Sequence, residues 1–298
     1  MTAVSILIRR NVKLFFKDKG MFFTALVTPI ILLVLYATFL GNVFRDSLVG
    51  NLPEGIKLSD SLVDGLVGGQ LVSSILAVSC ITVAFSSNFL MVQDKVTGCI
   101  KDLRMAPVKP SRLAVSYYVA TLIATLLVCL TAAAICLIYV WAVGWYMSFS
   151  DILLLLVDVV VLVLFGTALS SVVNFFLSSQ GQISAVSAIV SAGYGFICGA
   201  YMPISSFNEG LQKVLSFLPG TYGTSLVRNH AMGGALAEME QQGLPKEVVT
   251  TFRELFDCNL FFFDEPVSIP AMYLVLGGAA LILMLVYILL NTVKRKPR

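Results

Sequence analysis

Six long apolar runs dominate the pattern of hydrophobic and polar positions along the chain. An α-helix needs roughly 20 residues to cross a hydrocarbon core of about 30 Å, and each run approaches or exceeds that length. The runs are residues 21–40, 66–92, 113–143, 152–177, 183–201 and 271–290. The pattern predicts an all-α integral membrane protein with six transmembrane helices in one domain, residues 21–298.

The first 20 residues follow a different pattern. Basic side chains occupy one arc of a helical wheel, and apolar side chains occupy the opposite arc. The basic arc holds Arg9, Arg10, Lys13 and Lys17. Such a segment is typical of an amphipathic helix that lies in the membrane interface. We therefore expect an interfacial helix over residues 1–20.

The distribution of charge predicts the orientation. Of the 20 Lys and Arg residues, fourteen fall in residues 1–20, in the loop 93–112 and in the tail after residue 290. The opposite segments, which are 41–65, 144–151 and 202–270, hold thirteen of the 17 Asp and Glu residues. By the positive-inside rule, both termini and the loop are cytoplasmic, and segments 41–65 and 202–270 lie outside. The chain is expected to be a multi-pass protein of the plasma (inner) membrane.

Composition narrows the possible functions. The chain is 58% hydrophobic and 12% charged, whereas soluble domains are about half apolar and about a quarter charged. Its basic residues mark topology, so no nucleic-acid partner is expected. Six cysteines without a CxxC pair and a single histidine make no credible zinc site. No phosphate-binding GxxxxGK[ST] occurs, nor does HExxH or GxSxG. We expect no catalytic residue, metal or cofactor in this chain.

The outer segment 202–270 has mixed character. Apolar residues between Phe207 and Leu218 are spaced as in a short amphipathic helix that ends at Pro219. A further helical piece is expected around residues 221–232. Residues 236–257 carry five acidic and two basic residues and are interpreted as a solvated helix or loop.

Asp158 is the only ionisable residue well inside a predicted span, and such residues often mark function. Its neighbours on the helix are apolar, so any partner has to come from another span. It lies near the outer third and either reaches the interface or accepts one interhelical hydrogen bond, or it contacts a proton or cationic substrate. His230 is expected to be an exposed loop residue rather than a pH sensor. A Cys198–Cys258 disulfide is not expected.

Two further features leave alternatives open. Small residues recur at three-to-four spacing in the fifth run, which indicates either a packing seam or a subunit interface that moves. The loop 93–112 contains a helix-like piece, residues 99–105, before Pro107 and Pro110. This loop is either a topogenic basic loop or a docking surface for a soluble partner.

Two motifs, in this order and topology, resemble the type-2 family of ABC transporter permeases. The first consists of Asp94, Lys95, Gly98, Leu103, Pro107 and Val108. The second consists of Gly199, Met202, Pro203, Leu211, Gln212, Leu218, Pro219, Thr221, Tyr222 and Arg228. The chain departs from the family where a Glu often precedes the Gly of the loop, since Lys95, Val96 and Thr97 stand here.

The resemblance implies partners and roles. Two permease copies, identical or different, would assemble in lipid with two cytoplasmic ABC ATPase subunits, which bind ATP and Mg. The loop 93–112 would couple to the ATPase through Asp94, Lys95, Gly98, Lys101, Asp102, Leu103, Arg104 and Pro107. Short re-entrant helices before the last span would form an outer gate with Gly199, Pro203, Pro219, Tyr222 and Arg228.

The function expected from this resemblance is ATP-driven export by alternating access. Its cargo would be hydrophobic or amphiphilic, such as a drug, antibiotic, peptide or lipid. The candidate pathway residues are Phe85, Phe89, Asp158, Ser191 and Phe196. Export of a lipid-linked glycan is one alternative, and proton-coupled transport through Asp158 is another. An intramembrane enzyme would need clustered His, Asp, Glu or Ser side chains, which the spans lack.

Overall fold

The computed structural model describes residues 3–50, 58–105, 108–263 and 265–293, and this part of the chain is almost entirely helical. The helices, in chain order, are α1 (Ala3–Lys17), α2 (Lys19–Leu35), α3 (Gly41–Gly50), α4 (Asp60–Val96), α5 (Cys99–Met105), α6 (Pro110–Val143), α7 (Phe149–Phe176), α8 (Gln180–Ile197), α9 (Glu209–Leu215), α10 (Pro219–Gln241), α11 (Lys246–Leu255) and α12 (Ile269–Val293). A π-helical turn, Tyr36–Leu40, joins α2 to α3. An antiparallel pair, β1 (Phe261–Phe262) and β2 (Glu265–Pro266), precedes α12.

Five helices in the described part of the chain are long and apolar enough to cross a membrane. They are the continuous run Ala25–Gly50, α4, α6, α7 and α12. The fifth predicted span corresponds to α8, which has only 18 residues and two glutamines in its first turn, and it is not among the five. The all-helical membrane architecture is therefore confirmed, whereas the count of six spans stays a prediction.

α8 nevertheless runs beside most of α4. Just before α8, the carbonyl of Leu177 accepts a hydrogen bond from Lys95 at 3.0 Å. Just after it, the carbonyl of Ala200 accepts one from the Ser74 hydroxyl at 2.6 Å. Lys95 and Ser74 are about six turns apart on α4, or about 30 Å at 1.5 Å per residue. This distance matches the thickness of the hydrocarbon core.

α4 is the central helix of the bundle. It packs against α2, α6, α7, α8 and α10, and the side chains of its most apolar stretch are all buried. Small residues allow this crowding, because they let helix backbones approach closely in lipid. At the crossing with α10, a Cβ on Gly69 would come within 2.7 Å of the Ala231 carbonyl oxygen. Only glycine fits this crossing without a shift of one helix.

The first span does not end at residue 40 as the apolar run predicts. The helix continues through α3 because the buried Leu48 packs with Leu62 and Leu66 of α4 in a second apolar cluster. Arg45 also pairs with Asp60 and Asp64 at the start of α4. Part of the segment 41–65 is therefore helical, and its position outside the membrane stays a prediction.

The outer segment is more ordered than the charge pattern indicates. α9 lies within the expected amphipathic helix, but α10 has 23 residues and extends well beyond residues 221–232. Leu236 and Met239 of α10 pack with Val249 and Phe252 of α11 in the second apolar cluster. Of the two alternatives for residues 236–257, a solvated helix or a loop, the helix is found over most of the segment, but one face of each helix is buried rather than solvated.

Candidate functional site

The end of α4 is tied to the N-terminal helix by a charged pair. Arg10 donates to the Asp94 carboxylate through both terminal nitrogens, at 2.7 and 3.1 Å. The Tyr117 hydroxyl of α6 donates to the same carboxylate at 2.5 Å. The Asp94 side chain is 7% exposed. Its hydrogen bond raises the pKa of Arg10 above the ordinary value. Asp94 thus joins α1, α4 and α6.

Lys95 ties α4 to the end of α7. Its ammonium donates to the carbonyls of Asn174, Phe175 and Leu177 at 2.9, 2.7 and 3.0 Å. The last carbonyls of a helix lack intrahelical partners and carry partial negative charge, so a cation stabilises them. Asp94 and Lys95 were predicted to contact an ATPase, but in this structure their polar groups bond within the chain.

The loop turns at Gly98, whose φ of +83° lies in the left-handed region that favours glycine. α5 follows, and its Lys101 and Asp102 side chains are exposed while Leu103 is half-buried. Two other predicted coupling residues are not located here, since Pro107 and the Arg104 side chain lie outside the described part of the chain. α5 therefore presents the charges of Lys101 and Asp102 at the surface of the loop.

A cavity of 570 Å³ lies behind α5, between the ends of α4, α6, α7 and α12. Its wall combines aliphatic and aromatic side chains with Lys95, Tyr117 and Asn291. Tyr287 of α12 donates to the Met91 sulfur of α4 at 3.3 Å in the same region. α1 and the end of α12 thus lie at the same end of the bundle as the loop.

The predicted pathway residues do not share one surface. Phe85 and Phe89 are 3% and 6% exposed and pack in the core of the single chain, because α4 is enclosed on all sides. Their assignment to a pathway stays a prediction, since they face no open surface of the single chain. Phe196 is 52% exposed on α8, where Ser191 is partly exposed. Asp158 is fully buried.

Asp158 has partners from two other helices. His230 Nδ1 of α10 lies 2.5 Å from its Oδ2, and the Tyr273 hydroxyl of α12 donates to its Oδ1. His230 is 7% exposed and lies in the middle of a helix, so the prediction of an exposed loop residue is wrong. Periodicity could not reveal this pairing, because it depends on how three distant helices meet.

Arg228 anchors the outer motif. Its guanidinium is fully buried and donates to the carbonyls of Gly199 and Phe256, both at 2.8 Å, and to Asp257 at 3.2 Å. Asp257 also accepts the backbone N–H groups of Ile204 at 2.6 Å and Ser205 at 3.1 Å. Burial raises the pKa of Asp257, and Arg228 opposes that shift. No local signal in the sequence distinguishes Asp257 from other acidic residues of the outer segment.

The remaining residues of the motif surround this anchor. Pro219 begins α10, and the Tyr222 hydroxyl donates to the Ser216 carbonyl at 2.5 Å. Pro203 precedes the 3-10 turn Ile204–Ser206, whose N–H groups bind Asp257. The motif predicted as an outer gate is therefore one hydrogen-bonded unit that closes the end of α8 onto α10.

All six cysteines are free thiols in the structure. Cys99 is exposed, and the other five are buried. Burial raises the pKa of Cys258 to about 12. Cys198 and Cys258 are not bonded to each other.

The comparisons with known proteins agree with this architecture. A family model described as ABC-2 family transporter protein matches residues 51–288. The comparison with curated proteins returned no match. The matched range begins before α4, covers the loop, Asp158 and the outer motif, and ends within α12. Since it spans well over half of the chain, this protein belongs to the ABC-2 family of transporter membrane proteins.

Proposed function

We propose that the chain is the permease subunit of an ATP-driven exporter that works by alternating access. Two copies, or this chain and a second permease, pair with two cytoplasmic ABC ATPases that bind and hydrolyse ATP. The chain itself contributes the pathway and no catalytic residue. The cargo is hydrophobic or amphiphilic.

The arrangement at the end of α4 is the observation that carries this proposal. α5 presents Lys101 and Asp102 to solvent, while the loop is held from behind by Arg10, Asp94 and Lys95. Because Asp94 and Lys95 are bonded to neighbouring helices, a partner that displaces α5 would also displace those helices. Motion of the ATPase would thus reach α1, α6 and α7 together.

The exposed face of α8 supports the choice of cargo. Phe196 is 52% exposed and Ile189 is 70% exposed, and their spacing of seven residues places both on one face of α8, whereas Ser191 lies on another face. In an assembly of two permeases, such a face suits an apolar or amphiphilic molecule better than a sugar chain, which needs many polar partners. Glycan export is accordingly the weaker proposal within transport.

The test of ATPase coupling is a charge reversal on α5. The double variant Lys101→Glu/Asp102→Lys preserves net charge and introduces two residues of good helix propensity, but it inverts the charge pattern offered to a partner. We expect it to lose co-purifying ATPase and ATP-dependent export. Lys109→Glu, an exposed charge after α5, is the matched control and should keep both. Unchanged ATPase association and export in the double variant would refute the coupling role of α5.

Proton-coupled secondary transport is a second candidate, favoured by the contact between Asp158 and His230. Reconstituted vesicles separate the two mechanisms. Export that stops when the ATPase is inactivated but persists after the proton gradient is dissipated supports the exporter. The reverse result would establish the second candidate.

A further inference from the structure

Three helices meet at one carboxylate in the middle of the bundle. Asp158 of α7 is fully buried, and its two oxygens bind His230 of α10 and Tyr273 of α12. His230 is the only histidine in the chain. Its distance of 2.5 Å from the carboxylate is short for a nitrogen–oxygen contact, so a hydrogen atom lies between Nδ1 and Oδ2.

The charge of this cluster depends on one further proton. With the imidazole protonated only at Nδ1, the buried cluster carries the full negative charge of Asp158. A second proton on Nε2 makes the histidine a cation and the cluster neutral. Uncompensated charge away from water is strongly disfavoured, so the neutral state is the one that fits this site.

The surrounding residues do not supply a cation that would compensate the Asp158 carboxylate in place of His230. In the described part of the chain, no Lys or Arg lies within 4 Å of the Asp158 carboxylate. Arg228, two residues from His230, is turned toward the carbonyls of Gly199 and Phe256 and toward Asp257. The other titratable groups near the pair are the Tyr273 hydroxyl of α12, the Cys80 thiol of α4, the Cys129 thiol of α6 next to Cys80, and the Asp151 carboxylate two turns away on α7. The Asp151 carboxylate accepts a hydrogen bond from the Ser148 hydroxyl.

We propose that Asp158 and His230 form a proton-binding site inside the bundle, and that the bound proton ties α10 to α7 and α12. Loss of the Nε2 proton leaves a buried carboxylate without a cation. The cluster then opens to admit water, which loosens α10 from its neighbours. Because α10 also carries Arg228, this loosening reaches Gly199 and the outer segment. The site works in this way whichever energy source drives transport.

The single histidine permits a direct test in the full chain. We would incorporate ¹⁵N-labelled histidine and record the imidazole nitrogen resonances in lipid nanodiscs at pH 7. The expected result is one ring protonated at both nitrogens in the native protein, and one neutral ring in Asp158→Asn. Asp151→Asn, which removes a carboxylate from the same helix, should match the native protein. A neutral ring in the native protein, or an unchanged ring in Asp158→Asn, would overturn the proposal.

Hydrogen exchange tests the structural consequence. After correction for the intrinsic pH dependence of exchange, amides of α10 should lose protection in the same pH interval in which the imidazole resonance shows proton loss. Peptides from α6 provide the reference. In Asp158→Asn, protection of α10 should not change across that interval. If the protection of α10 depended on pH in the same way in both proteins, the proton would not be what holds α10. If the variant fails to fold, the native protein alone still tests the proposal. Loss of α10 protection in a different pH interval from that of imidazole proton loss would refute it.

Discussion

Arg10 and Asp94 lie 84 residues apart in the chain and form a bidentate pair at the end of α4. This pair joins α1 to the first residues of the loop. Two parallel hydrogen bonds between guanidinium and carboxylate fix orientation as well as distance. We therefore expect α1 to move together with the loop.

Arg10→Gln should uncouple these two elements. Among the described residues, it leaves the buried Asp94 carboxylate with the Tyr117 hydroxyl as its remaining side-chain partner, and loss of hydrogen bonds to a charged group costs about 1.5 to 3 kcal/mol. We expect a lower unfolding temperature and weaker cargo-stimulated ATP hydrolysis, with the ATPase still bound. Thermal unfolding and hydrolysis assays of the purified complex measure both. Arg9→Gln, at an exposed neighbouring position, should behave as the native protein.

Lys95→Met should loosen the end of α7. The methionine keeps the apolar stem but removes the ammonium that binds three carbonyls, which costs about 1.5 to 3 kcal/mol. The expected signature is faster hydrogen exchange in residues 174–182 and in the loop. Lys101→Met on exposed α5 serves as the control. Equal exchange in both variants would mean that these bonds do not order the loop.

Arg228→Met should destabilise the outer segment strongly. Removing one partner of a buried charge pair costs about 3 to 5 kcal/mol, because the remaining charge stays buried. Denaturant unfolding in detergent and limited proteolysis of the outer segment report the loss. Asp257→Asn in the same chain should recover part of it by removing the stranded charge. Arg253→Met, at a partly exposed site on α11, should cost far less.

Thiol labelling tests orientation. Cys99 is exposed in the loop, whereas Cys258 is buried with its pKa raised to about 12, so its thiolate fraction at pH 8 is on the order of one in 10,000. A membrane-impermeant maleimide should label inside-out vesicles and spare right-side-out vesicles. Cys99→Ser should abolish the labelling. Rapid labelling of right-side-out vesicles at Cys99 would invert the predicted topology.

The helices themselves could be predicted because lipid imposes a local requirement. Backbone groups in hydrocarbon need internal partners, so each apolar run of sufficient length forms a helix. The runs at 113–143, 152–177 and 271–290 agree with α6, α7 and α12 to within about three residues at each end, the usual scale of uncertainty in helix boundaries. The predicted end of the first helix at residue 40 is wrong because the helix continues into α3. Tertiary contacts of Leu48 and Arg45 stabilise α3, rather than its own hydropathy.

The sequence by itself thus determined that the chain is a helical membrane protein, where its central helices lie and which loop is basic, since these follow from transfer free energies summed over short windows. Only the tertiary structure decided that Asp94 and Lys95 bind within the chain, that Phe85 and Phe89 are core residues, and that Asp158 meets His230. Those outcomes depend on which helix faces come together across 70 or more residues, and neither periodicity nor composition encodes that choice.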